Sequence, residues 1–165
     1  MQKHLLLDAE TIQRKLARMA YQIWERHSGE QSISLLSVEH GGRAIAEALA
    51  AELRRFSPLA IAILPLKVDK KNALSPASLP ENTSLDGQVA VLVDDVANSG
   101  KTLFYALRPL LDYNLKALSI AVLVDRLHKT FPITPDIVGQ AVATTLKDHI
   151  EVESQNGIPV AAYLI

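Results

Sequence analysis

The chain has no cysteine among its 165 residues. That excludes disulfides, thiolate zinc sites and a cysteine nucleophile, and it favours an intracellular setting. An excess of one charge sign is also missing, because 17 Lys and Arg stand against 18 Asp and Glu for a formal net charge of −1. Composition therefore gives no argument for attraction to nucleic acid or to an anionic membrane surface. Long hydrophobic runs are scarce. In the first ten residues the sole apolar run is Leu5-Leu6-Leu7, too short for a signal-peptide core or a membrane span. The expected compartment is the cytoplasm, with no membrane partner.

What the chain does have is apolar substance: 48% of its residues are hydrophobic and 21% charged. A chain of this length buries roughly 70% of its unfolded surface on folding, so one core suffices and residues 1–165 read as a single domain. From Asp8, a candidate N-cap, the residues Ile12, Leu16, Met19, Ala20 and Ile23 fall on one helical stripe that ends at His27-Ser28-Gly29. Ser32 to Val38 reads as a buried strand, followed by Glu39-His40-Gly41-Gly42 as a tight turn and a helix over Ala44 to Phe56. Leu59 to Val68 has strand composition, with Pro65 placing its end at an edge or bend. Residues 69–88 lack any period and read either as a lid over a site or as an ordinary surface loop.

Val89 to Val93 is a continuous β-type run that suggests a strand covered on both faces. A helix is predicted from the following loop through about Tyr113, kinked at Pro109, and then a second buried strand from Ala117 to Val124. This alternation implies a mainly parallel sheet with helices on both faces. At the end of the chain, Ile150 to Ser154 and Ile158 to Leu164 flank Gln155-Asn156-Gly157, a strong signal for an antiparallel hairpin.

The segment carrying chemistry is Asp94-Asp95-Val96-Ala97-Asn98-Ser99-Gly100-Lys101-Thr102, at the carboxyl end of the buried strand, where ligands sit in open parallel sheets. Backbone N–H groups from Ala97 to Thr102, small residues at Ser99 and Gly100, and a following helix N-terminus suit a phosphate. Asp94 and Asp95 do not suit a phosphate, but as acceptors they suit the vicinal hydroxyls of a sugar attached to one. The ending Ser99-Gly100-Lys101-Thr102 is similar to that of a nucleotide P-loop. That motif needs glycine five positions before its second glycine, and Asp95 stands there.

The run Val91 to Thr102 resembles the diphosphoribose-binding motif of the type I phosphoribosyltransferases, and Glu39-His40-Gly41-Gly42 resembles that family's diphosphate loop. A closer similarity is to the PyrR branch, pyrimidine-operon regulators that are also uracil phosphoribosyltransferases. It is carried by Met1-Gln2-Lys3, by Arg14 to Ala20, and above all by Ala121-Val122-Leu123-Val124-Asp125-Arg126-Leu127-His128-Lys129 with Pro132-Ile133 and Asp136 to Gly139. The resemblance implies a type I phosphoribosyltransferase-like α/β core with a small hood and a C-terminal hairpin. It implies transfer of a phosphoribosyl group from 5-phosphoribosyl 1-diphosphate to a nucleobase, uracil favoured, with Mg²⁺ and a homodimer or larger homo-oligomer.

Residue by residue, the resemblance assigns Ala97, Asn98, Ser99, Gly100, Lys101 and Thr102 to the 5-phosphate. Asp94 and Asp95 go to the ribose hydroxyls and possible Mg²⁺ contact, and His40, Gly41, Gly42 and Arg43 to diphosphate. Val124, Asp125 and Arg126 fall at the base, and Lys70 or Lys71 on a closing lid. Two departures stand out. The branch usually carries Lys-Thr-Arg-Gly where this chain has Glu39-His40-Gly41-Gly42, and a Tyr-Arg-Asp-Asp-like lid where it has Asp69-Lys70-Lys71-Asn72. In RNA-binding members the first helix carries Thr-Arg and further along His and Arg; here those positions read Ala17-Arg18, Tyr21 and Arg26. Arg14 and Arg18 fall opposite the apolar stripe beside Glu25, a solvated face, so RNA is possible but not favoured. A catalytically weak phosphoribosyl-ligand sensor is the remaining alternative.

Overall fold

A computed structural model describes residues 3–69, 72, 75–145 and 148–165. In chain order the elements are β1 (His4–Leu7), α1 (Ala9–His27), β2 (Ser32–Val38), α2 (Gly41–Phe56), β3 (Ala60–Leu66), β4 (Val89–Ala97) and α3 (Lys101–Ala106). A 3₁₀ turn (Arg108–Asp112) follows, then β5 (Ala117–Arg126), β6 (Ile137–Val142), β7 (Ile150–Gln155) and β8 (Ile158–Leu164). Five strands form a parallel sheet in the order β3-β2-β4-β5-β6, and three form an antiparallel sheet in the order β1-β8-β7. Among the described residues no helix is long and apolar enough to cross a membrane.

β4 lies at the centre of the parallel sheet because both of its faces are apolar. Val91 and Val93 pack with Ile45 and Leu49 of α2 and with the α1 stripe. Ala90 and Leu92 pack on the opposite side with Leu103, Ala106 and Leu110. The helices are thus divided between the two faces, as the alternating pattern requires. The α1 stripe is fully formed: Ile12, Leu16, Met19, Ala20 and Ile23 are all buried, each large side chain contributing roughly 2 kcal/mol of burial. Asp8 caps this helix, its Oδ1 accepting from the Thr11 N–H at 2.8 Å.

Several boundaries differ from the sequence reading for identifiable reasons. β4 runs on to Ala97, so the two acids lie inside the strand, held by pairing of Asp94 with Val122 and of Ala97 with Asp125. The turn expected at Gly41-Gly42 is the first turn of α2. The helix after Gly100 ends at Ala106 rather than continuing kinked to Tyr113, because Pro109 is accommodated at the start of a 3₁₀ turn. Two strands carry no clear sequence signal. β1 uses the short Leu5-Leu6-Leu7 run to pair with β8, and β6 is an edge strand interrupted by Gly139, where a Cβ would strike the Leu123 carbonyl oxygen. β3, containing Pro65, is the opposite edge, as expected.

Arg18 is exposed, as expected, but it is also engaged. Its guanidinium donates to the carbonyls of Val138 and Gly139 at 2.9 and 2.7 Å, pinning α1 to the β6 edge. The hairpin turn has positive φ at both Asn156 (52°) and Gly157 (77°), the backbone of a type I′ turn. The long connection after β3 is tied down at Ala77 and Leu85, both buried in the second core.

His27 closes α1 with its Nε2 buried and without a partner. Burial, only partly opposed by Glu30, holds its imidazole below the usual histidine range. The unfolded chain therefore binds this proton more readily, and the stability tied to a neutral His27 is lost as pH falls below the unfolded value of about 6.5. We expect the urea midpoint to drop from about pH 7.5 to about pH 5.5, and to drop less in His27→Gln. An equal drop in both proteins would contradict this account.

Candidate functional site

The site begins where the N-terminus of α2 meets the end of β4. A Cβ on Gly42 would overlap the Val93 carbonyl oxygen, and one on Gly41 would overlap the Asp95 carboxylate. The paired glycines therefore exist to let a helix end approach a strand end. Ahead of them His40 takes a left-handed backbone (φ 75°), is exposed, and forms no side-chain cap, leaving the first N–H groups of α2 without a side-chain partner. No acidic residue occupies the first turn of α2, so the Asp95 carboxylate, delivered from the adjacent strand, meets the positive end of this helix.

Asp94 is buried and Asp95 half-buried. One oxygen of Asp94 accepts the Asp95 N–H at 2.9 Å, and one of Asp95 accepts the Val96 N–H at 2.8 Å. These short bonds fix the orientation of each carboxylate.

Beyond them the loop is shaped from both sides. Gly100 is left-handed (φ 80°), and a Cβ there would come within 2.7 Å of Ile133 and 3.3 Å of the Lys129 side chain. The Ser99 carbonyl accepts from the N–H groups of Thr130 and Phe131, both at 3.1 Å. Its hydroxyl accepts from the Lys101 N–H at 3.3 Å. The N–H groups of Ser99, Gly100 and Thr102 have no acceptor among the described residues. With α3 only six residues long, these loop amides rather than a helix dipole make the electropositive surface.

The Asn98 side chain has another partner. Its Nδ2 donates to the Ile150 carbonyl and its Oδ1 accepts the Ile150 N–H, each at 3.2 Å. This two-point bond ties the loop to β7, leaving only the Asn98 backbone for a ligand.

Asp94 through Leu103 line one wall of a cavity of about 340 Å³, and His149, Ile150, Glu151 and Val152 line the other. The sequence reading brought forward the first wall and missed the second. The Asn-Gly turn announces β7, but nothing in its pattern says which strand edge will face β4. The remaining sequence-predicted positions are not on this cavity. Arg43 pairs with Glu47 at 2.9 Å and borders a smaller cavity with Ser37, Ile63 and Pro65. Val124 is buried in the core. Asp125 forms a buried ion pair with Lys129 at 2.6 Å. Arg126 donates to Thr144 Oγ1 and to the Thr145 carbonyl, both at 2.7 Å. Val124 to Arg126 thus belong to the parallel sheet, with their side chains already engaged. Lys70 and Lys71 lie outside the described residues.

Comparison with known proteins agrees with this geometry. The family model for the phosphoribosyl transferase domain matches residues 5–155. The chain belongs to that family. Among its relatives, the bifunctional protein PyrR of Enterococcus faecalis is 34% identical over 163 residues, covering 94% of this chain and 92% of the relative. The bifunctional protein PyrR of Haemophilus ducreyi is 29% identical over 161 residues, covering 92% and 90%. Among solved structures, a hypoxanthine-guanine phosphoribosyltransferase from Bacillus anthracis superposes with a TM-score of 0.76 at 22% identity, covering 98% of this chain and 96% of that one. The hypoxanthine phosphoribosyltransferase of Trypanosoma cruzi gives 0.74 at 20%, covering 84% and 81%. The structural likenesses speak for the phosphoribosyltransferase fold, and the sequence relatives for the PyrR branch of it.

Substituting Gly42→Ala should cost roughly 1–3 kcal/mol, because the strand carbonyl it meets cannot withdraw without breaking the sheet. Gly29→Ala, with nothing within 4 Å of the added carbon, serves as the control and should be neutral or slightly stabilising. Equal urea midpoints for the two variants would contradict the close approach of α2 to β4.

Proposed function

We propose that this chain transfers the phosphoribosyl group of 5-phosphoribosyl 1-diphosphate to a ring nitrogen of a nucleobase, uracil favoured, releasing diphosphate. The observation that carries the reading is one cavity wall that presents two oriented carboxylates beside a run of free backbone amides. In this reading the amides of Ser99, Gly100 and Thr102 and the Thr102 hydroxyl take the 5-phosphate. Asp94 and Asp95 accept from the ribose 2- and 3-hydroxyls. The N-terminus of α2, with His40, Gly41 and Gly42, faces the diphosphate, and Arg43 joins it by exchanging its surface pair with Glu47 for the ligand. Lys70 or Lys71 closes over the donor and excludes water.

Little covalent work falls to the protein. It holds the sugar with its anomeric carbon exposed to the base and stabilises negative charge as it gathers on the leaving diphosphate. Among the described residues no cluster of three or more His, Asp or Glu could cage a cation. The donor set instead fits a Mg²⁺ held mainly by substrate oxygens with one or two carboxylates, Asp94 and Asp95 being the candidates. Such an ion would neutralise charge on the diphosphate.

With the side chains of Val124, Asp125 and Arg126 engaged in the protein, base selection here is assigned to backbone groups at the end of β5, and uracil rests on the PyrR relatives. The second reading is RNA-binding regulation. Arg18 and Arg26, the two cations shared with RNA-binding members, both have protein partners: the β6 carbonyls for Arg18 and Asp136, at 3.9 Å, for Arg26. That ranks transfer above RNA binding. A homodimer or larger homo-oligomer in the cytoplasm completes the proposal.

Purified protein incubated with Mg²⁺, the donor and each of uracil, hypoxanthine, guanine, adenine and orotate should form UMP most rapidly, and EDTA should abolish turnover. No nucleotide from any base would sink the enzyme reading and leave the ligand sensor. Replacing both Asp94 and Asp95 by Asn should weaken donor binding by roughly 10- to 100-fold, because asparagine keeps an acceptor oxygen at each position and loses the charge that strengthens the bond. Unchanged affinity in a calorimetric titration would remove them from the ribose. A salt-dependent mobility shift with pyrimidine-leader RNA would favour the regulator instead.

A further inference from the structure

The cavity has two walls, and the proposed function uses one of them. The second wall is the start of β7, where His149 precedes Ile150. His149 is exposed, yet its backbone is fixed on both sides. Its N–H and carbonyl exchange hydrogen bonds with Ile165 at 3.0 and 2.9 Å. Ile150, the next residue, is held through both of its backbone groups by Asn98, which itself belongs to the phosphate loop. The imidazole is thus mounted on a strand whose distance from the loop amides is set by a side chain of that same loop.

The charges around the cavity show what the second wall can bind. Asp94 and Asp95 each direct an oxygen to a backbone N–H. Glu151 is drawn to Lys3 at 3.4 Å, and Asp148, just outside, accepts from Thr145 N and Oγ1 at 2.8 Å. Three polar side chains on the cavity have no hydrogen bond or ion pair with any described residue, those of Lys101, Thr102 and His149. All three can donate, and they line the same cavity as the free amides of Ser99, Gly100 and Thr102. A group with several acceptor oxygens would satisfy all of them together.

We infer that His149 is a ligand of the phosphate monoester bound by the Ser99–Thr102 loop, closing that phosphate from the side opposite the amides. Asn98 is then a positioning residue: its amide holds β7 where the imidazole can reach the phosphate. This rests on the reading of the cavity as a phosphoribosyl site and adds a group that no motif in the chain announces. The phosphate would be gripped between the sheet and the hairpin, two parts of the chain joined here by Asn98.

The test uses ribose 5-phosphate, which carries the phosphate and ribose but cannot react. Calorimetry on the full chain should show its dissociation constant rising roughly tenfold in His149→Ala, about the contribution of one charge-assisted hydrogen bond at an open site. His149→Arg should restore binding to within about threefold, since a guanidinium also donates to phosphate. In the unmodified protein the ring-proton resonance assigned to His149, identified by its absence from the Ala variant, should move on titration with the calorimetric dissociation constant. A wild-type affinity in His149→Ala, or a His149 resonance that stays fixed while ribose 5-phosphate binds, would overturn the assignment and leave the phosphoribosyl reading intact. Failure of the folded wild-type protein to bind either ribose 5-phosphate or the diphosphate donor would overturn both.

Discussion

The contact on which the site depends is the approach of the α2 N-terminus to the end of β4. It is made possible by two missing side chains. With Gly42 lying against the Val93 carbonyl and Gly41 against the Asp95 carboxylate, the positive end of a 16-residue helix is brought to an acidic pair that would otherwise repel an anionic donor. The same contact packs Ile45 and Leu49 onto Val91 and Val93. Core packing and site electrostatics therefore share one geometric requirement. A chain that satisfied the core with a bulkier residue at either glycine would lose the site's charge balance.

Legibility in the sequence followed how local each signal was. The α1 stripe, β2, the apolar heart of β4 and the Asn-Gly hairpin are written within a few residues each, and their positions agree with the structure. The phosphate loop was legible because strand, acids, small residues and helix start follow one another without interruption. β1 and β6 were not. β1 is four residues long and exists through its pairing with β8, while β6 is an edge strand whose Gly139 interrupts the pattern for a close approach to Leu123. Arg18 shows the same limit: helical spacing puts it opposite the buried stripe, but the β6 edge lies beside that flank and its carbonyls accept the guanidinium.

The acids and amides were assigned from sequence by chemical type, and the structure adds which of them have a prior engagement. Asn98 reads as a polar loop residue and turns out to bind backbone 52 positions away. Asp125 and Arg126 read as candidates for a base, and the structure adds that each has a protein partner: Lys129, after β5, for one, and Thr144 and Thr145, after β6, for the other. Buried polar groups of this kind are satisfied by tertiary partners that no local spacing encodes.

The three-stranded sheet has a consequence for the order in which the site is built. The β7–β8 hairpin can close locally, but β1 joins it by pairing His4 with Leu164, a loop closure spanning nearly the whole described chain. Such closure incurs its entropy before any contact rewards it, so pairings of this separation form late. The phosphate loop, set between neighbouring strands β4 and β5, can take shape early. The opposing wall, β7, can form with its hairpin and dock through Asn98, whereas the third strand behind that hairpin, β1, is added only when the two ends of the described chain meet.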